Sequence, residues 1–138
     1  MARGIITLNT QEGVLTFEKI GKWYNVPAQG DKKRKYGLYY QLDKDKDQMT
    51  GCYMFANDKD IFYVGKTDEG FMKRFEHYAC LSPKAGSTNA DVHRKIHSKL
   101  NNGEDVYIYA CSPKGLTARK IEIIATGYCY KDGVMWNL

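Results

Sequence analysis

The stretch GCYMFANDKDIFYVGK, residues 51–66, holds one tyrosine in each of two short alternating runs. Tyr53 lies in the first run and Tyr63 in the second, and Arg74 follows them along the chain. A planar guanidinium can hold two phosphate oxygens at once, and a tyrosine hydroxyl can donate to a phosphate or orient a water. In a chain of net charge +5, this combination favours a site that handles nucleic-acid phosphates.

The elements that would position these side chains follow from hydrophobic periodicity and turn residues. The two tyrosine runs predict a hairpin joined by a turn with the sequence AND. Thr67 or Asp68 is the predicted cap of the next helix, and Thr88 or Asn89 is the predicted start of another. In all, the pattern predicts strands at 51–55, 60–65 and 105–111 and helices at about 67–80, 88–102 and 116–130. This order predicts an α+β fold, with a small three-stranded sheet (the hairpin plus one strand) flanked by helices.

Residues 1–50 differ in composition from the rest of the chain, because they are rich in glycine and in β-forming residues. They contain two predicted strands, at 13–26 and 36–42. We predict that they form a β-rich N-terminal extension that serves DNA contact or assembly. Together with residues 51–138, this extension is expected to form one compact domain.

The triplets at 51–53 and 63–65 resemble the two defining signatures of the GIY-YIG nuclease family, with Cys52 where the family has isoleucine. Four more residues fall where that family carries its Arg, its His, its metal-binding Glu and its late Asn: Arg74, His77, Glu122 and Asn137. The resemblance covers about residues 51–138 and extends to short stand-alone phage and restriction enzymes of the family. It implies a metal-dependent DNA endonuclease whose catalytic module is residues 51–138.

The resemblance also implies that Tyr53 is the general base. A tyrosine with a pKa near 10 is a poor base unless a cation or a neighbouring base favours its phenolate. His77 could accept the proton of Tyr53, or Lys66 could hold the phenolate by its charge, and the sequence leaves both open. Arg74 would hold phosphate oxygens. Tyr63 would donate to a phosphate or orient the attacking water.

Glu122 lies in an apolar run of the last predicted helix, beside Ile121 and Ile123. A carboxylate there is either at the edge of the apolar stripe or kept for a function, and we favour the function. It is expected to bind one Mg²⁺ (or Mn²⁺) per active site, with water and phosphate as the other ligands. A lone acidic ligand favours a one-metal mechanism. Asn137 is predicted to support the metal or the phosphate, although it could instead cap local backbone.

Basic residues supply candidates for DNA contact, although a solvated surface explains them equally well. They are Lys32, Lys33, Arg34, Lys35, Lys73 and Arg94. His93 and His97 are four residues apart and could ligate a metal, but no Glu lies between them in the H-E-x-x-H sense. The neighbouring Lys95 and Lys99 would repel a cation. We therefore predict that this helix is a DNA-facing or solvated surface.

The four cysteines show no zinc-binding spacing, and free thiols in a reducing cytosol are the expectation. The N-terminal sequence MARGIITLNTQEG lacks the apolar core of a signal peptide, and no apolar run predicts a membrane span. These features predict a cytoplasmic protein of a bacterial or phage-infected cell.

The expected partner is DNA, bound by a homodimer or a larger symmetric assembly, because one active site cuts one strand and the chain is short. Three alternatives remain at this point. They are a nucleic-acid-binding module of the same fold that does not cut, a structure-specific repair nickase, and a structural protein that docks its basic surface on an acidic partner.

Overall fold

The computed structural model describes residues 3–80, 82, 86–111, 115–130 and 134–137. Six strands lie within these ranges: β1 (Ile5–Thr10), β2 (Gly13–Tyr24), β3 (Tyr39–Leu42), β4 (Gly51–Ala56), β5 (Ile61–Thr67) and β6 (Val106–Cys111). They are accompanied by three helices: α1 (Phe71–Ala79), α2 (Thr88–Asn101) and α3 (Ala118–Cys129). Across the described ranges, no helix combines the length and the apolarity needed to span a bilayer.

All six strands belong to one antiparallel sheet with the order β1-β2-β6-β4-β5. The long strand β2 organises half of it. One edge of β2 pairs first with β1 and then with β3, and its other edge pairs with β6 from Glu18 to Trp23. The tyrosine hairpin, β4 and β5, therefore lies at the opposite end of the sheet from β1.

The prediction of a small three-stranded sheet is wrong, although the fold is α+β. Strands β4, β5 and β6 do form a unit, but β1, β2 and β3 continue the same sheet because β2 pairs with the free edge of β6. The physical reason is that residue alternation identifies a strand without identifying its partner. The expected N-terminal extension is thus built into the sheet, and its first strand, β1, was not predicted.

Helix α1 begins at Phe71, directly after Gly70, whose φ of 104° suits a residue without a Cβ. Its first two amide groups donate to the backbone carbonyls of Met49 and Asp47, at 2.9 Å each. Thr67, one of the two predicted caps, is instead the last residue of β5. The start of α1 is therefore fixed by the chain that leads into β4, which ties the helix to the hairpin.

Apolar residues fill both faces of the sheet. On one face α1 and α2 cover a cluster centred on Trp23, Phe55 and Phe75, and on the other α3 covers a cluster that includes Met54 and Val64. Strand β4 is buried along its whole length because it is covered on both faces and paired on both edges. A buried strand of this kind gives a rigid base for the side chains that it carries.

Candidate active site

Three tyrosine hydroxyls and one guanidinium meet where the hairpin contacts α1. The hydroxyls of Tyr53 and Tyr78 are 2.7 Å apart, and the hydroxyl of Tyr78 donates to that of Tyr63 at 3.4 Å. Arg74 Nε donates to the Tyr53 hydroxyl at 3.1 Å, while Arg74 Nη2 donates to Asn89 Oδ1, also at 3.1 Å. The structure therefore brings together Tyr53, Tyr63 and Arg74, as the sequence suggests, and adds Tyr78.

Hydrogen bonds connect Arg74 with all three members of this tyrosine cluster (Tyr53, Tyr63 and Tyr78). A guanidinium only donates, so the oxygen of Tyr53 accepts from Arg74. Either hydroxyl can donate in the Tyr53–Tyr78 bond, and when the one proton of Tyr78 goes to Tyr63, Tyr53 is the donor to Tyr78. Tyr63 accepts in the bond from Tyr78, so its own hydroxyl proton can be donated to a bound group or a water. Each bond polarises the next, which strengthens the whole chain of bonds.

Gly65 explains how the Tyr53 ring reaches this position. Gly65 lies opposite Tyr53 in the β4–β5 register, and a Cβ on Gly65 would be 2.5 Å from Tyr53 Cζ. On its other sides the ring makes edge contacts with Phe71 and Phe75, at centroid distances of 5.8 and 5.1 Å. The glycine of the second triplet thus makes room for the tyrosine of the first.

Tyr53 and Tyr78 are held as neutral phenols. Both side chains are fully buried, and burial raises the pKa of each hydroxyl above its ordinary value. The charge of Arg74 opposes this rise in both pKa values but does not reverse it. Tyr63 is only half-buried. Of the two hairpin tyrosines, Tyr63 is therefore the one that meets solvent, whereas the sequence assigned the base role to Tyr53.

An open cleft of about 930 Å³ lies in front of Tyr63. Its lining includes Glu122 on α3, Lys95 on α2 and Asn137 near the C-terminus. Burial raises the pKa of the Glu122 carboxyl, and the nearby cations of Lys66, Arg119 and Arg74 oppose that rise. The predicted carboxylate, tyrosine and asparagine therefore share one cleft, although they come from three separate parts of the chain.

Asn137 is held against the outer edge of β5. Its side-chain Oδ1 accepts from the backbone N–H of Val64 at 2.9 Å, and its Nδ2 donates to the Val64 carbonyl at 2.8 Å. Next to it, the Trp136 ring stacks on Phe62 with centroids 5.2 Å apart. These contacts cover the edge of β5 beside Tyr63. Asn137 thus combines a backbone contact with a place in the cleft wall.

Two predicted partners of Tyr53 lie elsewhere. His77 is exposed, and it is the next residue, Tyr78, that bonds to Tyr53. Lys66 pairs with Cys52 in the β4–β5 register, and its charge acts on Glu122. A signal for Tyr78 was present in the sequence, since Phe71, Phe75 and Tyr78 share the helical spacing of a buried face.

Three of the six predicted DNA-contacting cations already have acidic partners. Arg34 forms a two-pronged ion pair with Glu76, at 2.7 and 2.9 Å, and is half-buried. Lys73 pairs with Glu69 at 3.8 Å, and Arg94 with Asp91 at 3.4 Å. Three lysines of the same loop as Arg34 are exposed: Lys32, Lys33 and Lys35. Among these six residues, the three lysines are the ones placed to meet a polyanion.

The carboxylates in the cleft wall suit a metal ion that retains most of its water ligands. No group of three or more His, Cys, Asp or Glu side chains that could hold a metal occurs among the described residues. Asp91 in the cleft wall is 3.1 Å from Lys95, whereas Glu122, also in the wall, forms no short ion pair with any described residue. Mg²⁺ is commonly bound by one or two carboxylates plus water and phosphate. Glu122 therefore fits the predicted ion as its protein ligand.

Comparison with known proteins adds no relative. The chain matches no family model, no curated protein and no solved structure.

Proposed function

We propose that the protein is a Mg²⁺-dependent DNA endonuclease that hydrolyses phosphodiester bonds by a one-metal mechanism with a tyrosine general base. The observation that carries this proposal is the position of Tyr63. It lies at the end of a hydrogen-bond chain that begins at Arg74, and it faces the cleft that contains Glu122 and Asn137. Phosphodiester hydrolysis needs positive charge, a proton acceptor and a metal ligand. Here Arg74 supplies the charge through the hydrogen-bond chain, and Tyr63 and Glu122 supply the other two in the cleft.

The structure favours Tyr63 over Tyr53 as the base in this mechanism. The hydroxyl of Tyr53 has no access to a water in the cleft because its side chain is fully buried. As a phenolate, Tyr63 could take the proton of an attacking water and become a neutral phenol, and the O–H of Tyr78 donates to that phenolate oxygen. Tyr53 and Tyr78 carry the polarising effect of Arg74 to that phenolate.

Basic side chains of this chain compensate negative charge in the cleft. Arg74 and Lys66 both act on Glu122, and Lys95 lines the cleft directly. A Mg²⁺ bound at Glu122 would supply Lewis-acid stabilisation of the phosphoryl oxygens. Asn137 orients the edge of β5 and so fixes where Tyr63 points.

The substrate of this proposal is DNA, and the biological role is restriction or phage-type cleavage. The excess of basic residues over acidic ones suits a polyanion. Since one cleft cuts one strand, a double-strand break needs two subunits, and we propose a homodimer or a larger symmetric assembly. Light scattering gives the mass in solution, and a plasmid cleavage time course gives the first product. A dimeric mass with linear plasmid as the first product would support the assembly. A monomeric mass with accumulation of nicked circles would support a repair-type nickase instead.

Supercoiled plasmid incubated with the protein in Mg²⁺, Mn²⁺ or EDTA tests the proposed activity. The expected result is nicked or linear plasmid with either metal and intact plasmid in EDTA. Intact plasmid under all three conditions, or equal cutting in EDTA, would contradict the proposal.

A second function is favoured by the burial of Tyr53 and by a cleft wall in which, among the described residues, Glu122 is the carboxylate without an ion pair. Both would also suit a module that binds nucleic acid without cutting it. Retarded migration of labelled DNA combined with intact plasmid in Mg²⁺ would support this module and reject the nuclease.

A further inference from the structure

A second groove, distinct from the cleft at Tyr63, lies on α2. It has a volume of about 430 Å³, and its lining includes Tyr36, His93, Arg94 and His97. The two histidines are one helical turn apart, so their rings lie on the same face of α2. His93 is fully buried, and His97 is half-buried.

Backbone carbonyls fix the tautomer of both imidazoles. His93 Nδ1 is 2.7 Å from the carbonyl oxygen of Tyr78, and His97 Nε2 is 2.8 Å from that of Tyr36. A carbonyl only accepts, so each of these ring nitrogens carries the proton. The remaining nitrogens, His93 Nε2 and His97 Nδ1, therefore present lone pairs. Metal-binding histidines are oriented in this way, with the second nitrogen donating to a carbonyl or carboxylate.

His93 Nε2 is a buried polar atom without a hydrogen-bond partner in the described part of the chain. Such atoms are rare in folded proteins, because the loss of hydration is uncompensated. Burial also lowers the pKa of His93, which keeps the ring neutral and the lone pair available. An electron-pair acceptor in the groove would satisfy this nitrogen.

The distance between the two rings suits a shared ion. Their centroids are 5.2 Å apart. An ion bound at about 2.1 Å by one nitrogen of each ring lies about 3.2 Å from each centroid, and a tetrahedral angle then places the centroids about 5 Å apart. The observed centroid distance is therefore the one expected for two imidazoles that share one ion.

We propose that His93 Nε2 and His97 Nδ1 bind one divalent transition-metal ion, with Zn²⁺ as the best match for two imidazoles. The sequence argued against a metal here because of the surrounding cations. In the structure, Arg94 and Lys95 are ion-paired with Asp91, and Lys99 is ion-paired with Glu104, which offsets their repulsion. Water completes the coordination, so the ion exchanges readily. This site does not depend on the proposed nuclease activity.

Zn²⁺ titration of the full chain tests the site, in a Cys80→Ser background because Cys80 is an exposed thiol that could compete. We expect one Zn²⁺ per chain by calorimetry, a rise in Tm, and shifts of the His93 and His97 imidazole ¹⁵N resonances. His97→Gln, whose amide can still donate to Tyr36, should weaken Zn²⁺ binding at least tenfold. His77→Ala removes the exposed third histidine and is the matched control, expected to bind Zn²⁺ like the parent.

Three results would overturn the site. They are unchanged His93 and His97 resonances at saturating Zn²⁺, undiminished affinity in His97→Gln, and loss of affinity in His77→Ala. The first uses the unsubstituted helix and so does not depend on the folding of a variant. Glu122→Gln should keep the Zn²⁺ response, and Mg²⁺ should not reproduce it. If either expectation fails, the ion binds elsewhere and the proposal is rejected, whatever the outcome for plasmid cleavage.

Discussion

Arg74 anchors one end of the hydrogen bonds in the tyrosine cluster, because its guanidinium can only donate and Tyr53 accepts from it. The bonds then run through Tyr53 and Tyr78 to Tyr63 at the cleft. At this scale, the sequence suggested Tyr53, Tyr63 and Arg74 and left His77 or Lys66 open as the partner of Tyr53, whereas the structure has Tyr78 in that place. Both residues follow Arg74 by about one turn, and only the packing of α1 on the hairpin decides which of them is buried.

Tyr78→Phe tests the hydrogen-bond chain at the level of one oxygen atom. The ring remains, but the link between Tyr53 and Tyr63 is lost, at a cost of about 1–1.5 kcal/mol for one hydrogen bond. We expect the single-turnover cleavage rate to fall about tenfold with DNA affinity unchanged. Tyr109→Phe is the control, since its buried ring carries a hydroxyl bonded to the Arg3 carbonyl, away from the cleft. Equal rates in wild type and Tyr78→Phe would remove Tyr78 from the mechanism.

Arg74→Ala tests the source of positive charge. Loss of one oriented cation should cost ~3–4 kcal/mol of transition-state stabilisation, by analogy with one lost oxyanion donor. The measurement is the single-turnover rate at saturating protein, together with the binding of uncleaved DNA in Ca²⁺. A variant that binds DNA normally and cuts at the wild-type rate would show that Arg74 only supports the fold.

The order of strands and helices after residue 50 follows from the sequence, whereas the extent of the sheet does not. The strand and helix segments predicted there match β4, β5, α1, α2, β6 and α3 in order. The pairing of β2 with β6 joins segments far apart in the chain, and no local pattern encodes it. The start of α1 was missed for a similar reason, because its cap is supplied by the carbonyls of Met49 and Asp47.

Gly65→Ala tests how the hairpin accommodates the Tyr53 ring. The new Cβ would be 2.5 Å from Tyr53 Cζ, and the ring cannot retreat because Phe71 and Phe75 pack against it. Overpacking of this kind costs about 1–3 kcal/mol, so Tm should fall. Gly127→Ala on α3 is the matched control: its Cβ meets no described heavy atom within 4 Å, and helix propensity should raise stability by about 0.5–1 kcal/mol. Equal stability of Gly65→Ala and wild type would reject the close contact.

At the scale of the whole molecule, one ion pair joins the loop before β3 to α1. Arg34 and Tyr40 both donate to the carboxylate of Glu76, and the Arg34 bonds are the main cause that lowers the Glu76 pKa from 4.5 to about 2. A lowered carboxyl pKa stabilises the fold above the unfolded-state value, and this contribution is lost as pH falls through the folded-state value. Its window is therefore about pH 4.5 to 2.

The urea midpoint measured across that window checks this link. Stability should decline as pH falls from 4.5 to 2, and Glu76→Gln should make the decline shallower. The effect is modest because the Glu76 side chain is partly exposed and solvent screens the pair. Glu12→Gln, at an exposed turn between β1 and β2, should retain the wild-type slope. The same slope in all three proteins would show that the pair does not stabilise the fold.

The most direct test of the central claim is the cleavage of plasmid by Glu122→Gln in Mg²⁺, measured beside its affinity for uncleaved DNA. This substitution keeps the shape of the side chain but removes the carboxylate that would hold the ion. We expect cleavage to fall about a hundredfold or more, since a bound ion contributes several kcal/mol to the transition state. DNA affinity should change little. Wild-type cleavage by Glu122→Gln would contradict the account, because the cleft would then cut without its proposed metal ligand.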